Sequence, residues 1–150
     1  MINTNYKYND GGRADAGYKG TADDCTVRAI AIATTLPYQK VYSDLFDLNR
    51  KNNKPGSKTS PRDRGTHMKT IKEYMDSLGW TWKATMGIGT GCKVHLNKEE
   101  LPFGRVVCRV SKHMVATIDG VVNDTYDCSR DGTRCVYGYF YKQKQTERRS

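Results

Sequence analysis

The chain has 150 residues, 37% of them hydrophobic and 27% charged, with a formal net charge of +9. That length suits one domain with a single core, and no apolar run approaches the roughly 18 residues that a membrane-spanning helix needs. The amino terminus, MINTNYKYNDGG, lacks the basic start and apolar stretch of a secretory signal, so a cytoplasmic protein with no membrane partner is expected.

Residues 1–20 are rich in Asn, Gly, Tyr and Asp without period, and read as an irregular arm. Asp23 or Asp24 then stands where a helix cap belongs, ahead of Val27, Ile30, Ala31 and Thr34 at helical spacing. With Ala29, Ile32 and Ala33 beside them, this helix is apolar nearly all round after Arg28, which predicts a central, buried position. Leu36-Pro37 ends it, and Pro37 starts a second helix with Val41, Tyr42, Leu45 and Leu48 as its stripe. Residues 50–65 lose all period and read as a long, mobile, basic loop. A third helix over 66–78 carries Met68, Ile71, Met75 and Leu78 and stops at Gly79.

Beyond Gly79 the period becomes that of strands. Residues 80–86 alternate, 87–91 form a glycine-rich hinge, and 97–102 suggest one helical turn. Strands are expected at 104–110, 113–118, 121–127 and 135–141. Asp119-Gly120, between two β-rich runs, is a strong hairpin signal. Helices first and strands afterwards predict an α+β fold, the helices packed on a carboxy-terminal antiparallel sheet. The expected organisation is an arm over 1–20, one domain over 21–141 and a basic tail over 142–150.

Five cysteines lie at positions 25, 92, 108, 128 and 135, with no CxxC pair. An odd count in a cytoplasmic protein points to reduced thiols and away from the usual structural zinc site. Cys25 stands out because it opens the buried helix, where unpaired N–H groups and the helix dipole favour a thiolate and can hold an oxyanion. Asp23 and Asp24 oppose that effect, so the thiol needs a cationic partner. His113 heads the predicted hairpin. A two-residue turn at Asp119-Gly120 sets Ile118 opposite Val121, Ala116 opposite Asn123, Val115 opposite Asp124 and His113 opposite Tyr126. Asp124 then shares a face with His113 as its diagonal neighbour, while Asn123 points to the other face. Asp124 can therefore fix one ring nitrogen and leave the other for Cys25.

A cysteine at a helix start, a histidine on a strand and an acid on the next strand resemble the papain-like superfamily, which includes transglutaminase-like enzymes and double-glycine-leader peptidases. The segment 111–116 with Asp119-Gly120 and 123–125 is similar to their second catalytic block, and residues 24–31 resemble the nucleophile helix of small bacteriophage-encoded members. The resemblance spans about 21–127 and implies a papain-like fold, with Cys25 as nucleophile, His113 as base and Asp124 as orienter. It also implies a peptide or protein substrate, and host cytoplasm as the setting if the chain is phage-encoded. One departure is plain: many members carry a Gln shortly before the Cys, and this chain has none before Gln39. The Cys25 N–H, Lys19 or Asn9 would have to supply the oxyanion donor.

Other signals carry less. The 87–91 run lacks the Lys-Ser/Thr ending of a phosphate loop. Cys92 and His95 have ligand-like spacing but no second pair, so neither metal nor cofactor is expected. His67 reads as a surface or capping residue, and Trp80, Trp82 and the CVYGYFY run as core and sheet-face residues. The basic stretch 50–64 holds Arg50, Lys51, Lys54, Lys58, Arg62 and Arg64 against Asp63 alone, and the tail adds more. That surface serves solubility, or it engages nucleic acid or an acidic protein. A binding protein of the same fold without catalysis is therefore the alternative to a hydrolase.

Overall fold

A computed structural model describes residues 5–18, 24–57, 59–62, 66–87 and 89–142. Three helices, α1 (Cys25–Thr34), α2 (Tyr38–Asn52) and α3 (Met68–Ser77), pack on one six-stranded sheet. Its strands are β1 (Tyr6–Tyr8), β2 (Trp80–Ala84), β3 (Arg105–Val110), β4 (His113–Ile118), β5 (Val121–Asp124) and β6 (Gly138–Lys142), in the order β1-β5-β4-β3-β6-β2. The fold is α+β.

The sheet is mixed, where an antiparallel one was expected. β1 lies parallel to β5, with Tyr6 beside Val122 and Tyr8 beside Asp124, while the other pairings are antiparallel. The arm is thus not irregular throughout: three of its residues extend the sheet. A strand this short leaves no two-residue period to read from sequence.

Alternation along β3 and β4 divides the core in two. Val107, Met114 and Ala116 face α1, whose residues 26–33 are all buried, together with Val41, Leu45, Ile71 and Phe140. Val106, Cys108, Val110 and Val115 face the other way, against Leu96, Leu101, Cys128, Val136 and Tyr139. α1 is therefore the central helix its composition predicts. Each fully buried Val or Ile contributes about 1.5–3 kcal/mol of transfer free energy, so Val27 and Ile30, both 0% exposed, anchor it.

Two tight turns aim the site. Between β3 and β4 the chain reverses at Ser111-Lys112, Lys112 at φ 55, with Val110 paired to His113. Between β4 and β5 it reverses at Asp119 (φ 53) and Gly120 (φ 80), the two positive φ angles of a type I′ turn. Ile118 then faces Val121 and Ala116 faces Asn123, as the Asp-Gly pair predicts. Trp80 is buried and Trp82 packs on Phe140 with ring centroids 4.8 Å apart, so these aromatics belong to the core and sheet face.

Several boundaries differ. α3 starts at Met68, β2 ends at Ala84 and β5 stops at Asp124. Residues 98–100 form turns without a helix, and Cys135 joins the sheet region only as an isolated bridge to His95. The described part of the 50–65 loop is tied down: Asn49 donates to the Thr59 carbonyl at 2.9 Å, Tyr42 meets Ser60 at 3.0 Å, and Arg62 stacks 4.3 Å over Tyr18. Lys19, Asp23, Lys58, residues 63–65 and the tail from 143 onward lie outside the described residues. The thiols differ as well: Cys92 and Cys135 are joined as a disulfide, leaving Cys25, Cys108 and Cys128 free. Reasoning from an odd count did not foresee this bond, since parity excludes only complete pairing.

Candidate active site

Cys25 is the first residue of α1 and is half-buried. Its thiol lines a cleft of about 300 Å³ shared with Thr26, Thr66, His67, Arg109 and His113 among others. His113, the first residue of β4, lines the same cleft within hydrogen-bonding reach of the thiol, placed there by the Ser111-Lys112 turn. The sequence-predicted trio is thus brought together. His113 Nε2 meets Asp124 Oδ2 at 2.7 Å, which leaves Nδ1 for the thiol. Asn123 turns elsewhere, to Asn9 and the Val121 carbonyl.

Asp124 is held from several directions. Its Oδ1 accepts from Arg28 Nη2 at 3.2 Å and from the Thr125 N–H at 2.7 Å. Its carbonyl accepts from the Asn9 N–H at 2.9 Å and the Tyr6 hydroxyl at 3.2 Å. The β1 arm therefore clamps the backbone of the residue that holds His113.

The charges around the thiol favour its ionised form. Burial alone pushes the Cys25 thiol up, but hydrogen bonding and charge from His113, with the Met114 backbone and Arg28, outweigh it and hold the thiol below its ordinary value. Burial also opposes charge on His113, yet the Asp124 carboxylate, with Cys128 and Cys25, raises its pKa well above the usual imidazole range. For Asp124, desolvation is overcome by His113, the Thr125 N–H and Arg28, which keep the carboxyl below its ordinary value. Burial keeps Cys128 and Cys108 protonated, the latter pushed up to about 12.

Asp24 does not act as the expected side-chain cap. It makes no cap hydrogen bond. Its carboxylate instead pairs with Arg28 one turn later, accepts from the Tyr38 hydroxyl at 2.6 Å and lies 3.4 Å from Arg13. Its negative charge, which would otherwise oppose a thiolate at Cys25, is neutralised by these partners. Sequence reasoning passed over this role for Arg28, although an Asp and an Arg four residues apart, the Arg alone in an apolar helix, are a readable signal. Tyr38 and Cys128 carried none.

The oxyanion donors narrow. Asn9 spends its amide on Asn123, with Nδ2 to Oδ1 at 3.2 Å, and Lys19 lies outside the described residues. The first-turn N–H groups of α1, beginning with that of Cys25, have no helical acceptor and point toward the amino-terminal end of the helix, where Cys25 stands. Thr66 adds a buried hydroxyl without a partner among the described residues. His67 is exposed at the head of α3, in keeping with the surface or capping residue read from sequence, though its side chain makes no cap hydrogen bond, and it also lines the cleft.

Among the described residues, His113, Asp124 and Cys128 have donor atoms within 4.8 Å of one another, a grouping of metal-ligand type. Both Asp124 oxygens are already occupied by His113, Arg28 and the Thr125 N–H, and the nearby guanidinium opposes a cation. These contacts disfavour a cation at this grouping. No described helix is long and apolar enough to cross a membrane. Comparison with protein-family models, with curated proteins and with solved structures finds no match for this chain.

Proposed function

We propose that the chain is a papain-like, thiol-dependent hydrolase of peptide, isopeptide or amide bonds. The observation that carries this reading is His113, pinned to Asp124 at 2.7 Å and set beside Cys25 in an open cleft. The Cys25 thiolate attacks the carbonyl carbon, and the oxyanion is met by N–H groups at the start of α1. Imidazolium at His113 gives its proton to the departing amine, leaving a thioester on Cys25. Neutral His113 then takes a proton from water, whose oxygen attacks the thioester and releases the carboxylic acid. Asp124 holds the ring in one orientation throughout. Arg109 and Lys112 on the cleft wall favour a substrate with negative charge near the scissile bond.

4-Nitrophenyl acetate tests the chemistry without knowledge of the natural substrate. A burst of nitrophenolate followed by turnover, with the acetyl group mapped to Cys25 and absent in Cys25→Ala, supports the proposal. His113→Ala should lower the acylation rate at least 100-fold. Equal, slow acetylation of several side chains without turnover would favour the non-catalytic binding domain instead.

A further inference from the structure

We propose that Cys92, His95, Cys135 and Met86 form a second site, closed as a disulfide in this structure, that binds a soft metal ion when reduced. It stands apart from the Cys25 cleft and does not depend on it. Cys92-x-x-His95 offers ligand spacing in the sequence, and the fold supplies the missing pair from two other segments. The ribbon that brings Cys135 alongside is fixed by backbone bonds from Leu96 to the Arg134 carbonyl and from Val136 to the Val94 carbonyl, both 2.8 Å. His95 and Cys135 form the bridge between them.

The donors already meet in two pairs, linked through the disulfide. Cys92 Sγ lies 3.5 Å from His95 Nε2, and Cys135 Sγ lies 3.6 Å from Met86 Sδ. A tetrahedral ion with metal–sulfur bonds of about 2.3 Å and metal–nitrogen bonds of about 2.0 Å sets its S and N ligands about 3.5 Å apart. The other ring nitrogen is held as metal-site histidines are: His95 Nδ1 meets Glu100 Oε1 at 3.0 Å, and Asn97 holds Glu100 Oε2 at 2.8 Å. This fixes the imidazole with Nε2 toward Cys92 Sγ. Two thiolates, a thioether and an imidazole make a soft set, suited to Zn²⁺ or Cu⁺.

The step that opens the site balances. A dithiol reductant gives two electrons and two protons to the Cys92–Cys135 bond, becoming a cyclic disulfide and leaving two protein thiols. Zn²⁺ then replaces both thiol protons. Cys92 is exposed, so the reductant can reach it.

The test is Co²⁺ and Zn²⁺ titration of the full chain, oxidised and then reduced and desalted without oxygen. Reduced protein should bind one equivalent of Co²⁺ with a thiolate-to-cobalt charge-transfer band, displaced by Zn²⁺, and the oxidised protein should bind none. Because one polypeptide is compared in two states, misfolding of a variant cannot produce this result. Cys135→Ser and His95→Ala should weaken binding at least 100-fold and Glu100→Gln about 10- to 100-fold, while Cys128→Ser and Cys25→Ala leave it unchanged. Absence of the band in reduced protein overturns the proposal. So does a band that survives Cys92→Ser and Cys135→Ser together, or one lost with Cys128→Ser, which would place the ion at His113 and Asp124.

Discussion

Removing the Arg28 guanidinium from water costs several kcal/mol, and the cost is met only because Asp24 and Asp124 flank it. Arg28→Met should therefore leave Asp24 and Asp124 without the cation they share, though each keeps other partners, and destabilise the fold by about 3 kcal/mol in urea denaturation. Asp24→Asn in the same background should recover part of that loss. The His113–Asp124 pair has its own pH signature. His113 is raised on folding, so its contribution is complete below its unfolded value of about 6.5 and is lost as pH climbs through the higher folded value. Asp124 is lowered, so its contribution is present above about 3.9 and is lost as pH falls through the lower folded value. Stability of wild type minus Asp124→Asn should thus stay level from about pH 4 to about 6.5 and fall progressively on either side of that window. The trio itself was legible in the sequence, because helix start, hairpin register and side-chain alternation each constrain one member. The Asp24–Arg28 half of its surroundings had a local signal in the four-residue spacing, but the Arg28–Asp124 half had none, because those residues stand 96 positions apart.

Hairpin β4–β5 fixes which acid reaches His113, and its turn tolerates little change. A Cβ on Gly120 would lie 2.7 Å from the Lys98 Cα in a backbone at φ 80. Gly120→Ala should cost about 2–4 kcal/mol by thermal denaturation, combining left-handed strain with overpacking. Asp-Gly turns read well from sequence because two positive φ angles exclude most other residue pairs. The edge strand β1 did not read, since three residues pair in parallel with a segment more than 110 positions away. Its consequence is testable: deleting residues 1–9 removes the Tyr6 and Asn9 bonds to the Asp124 carbonyl. The truncated protein should show a lower Tm and slower alkylation of Cys25, reported by mass spectrometry. Unchanged alkylation would deny the arm any part in holding Asp124.

At the scale of the molecule, the fold class followed from the order of helical and strand periods, while the pairing of distant thiols did not. Cys92 and Cys135 are 43 positions apart, and only the ribbon joining His95 to Cys135 brings them together. The same long-range assembly sets α1 against β4 and brings a thiol and an imidazole, distant in the chain, into one cleft. The most direct measurement is the rate of Cys25 carboxymethylation by iodoacetamide as a function of pH, followed by peptide mapping. A thiolate paired with imidazolium should react at pH 6 at least tenfold faster than Cys108 and Cys128, with a rate plateau extending well below the ordinary thiol value of about 8.5, and His113→Ala should abolish the plateau. A Cys25 rate that drops tenfold with each pH unit below that value, matching an unperturbed thiol, would contradict the pairing.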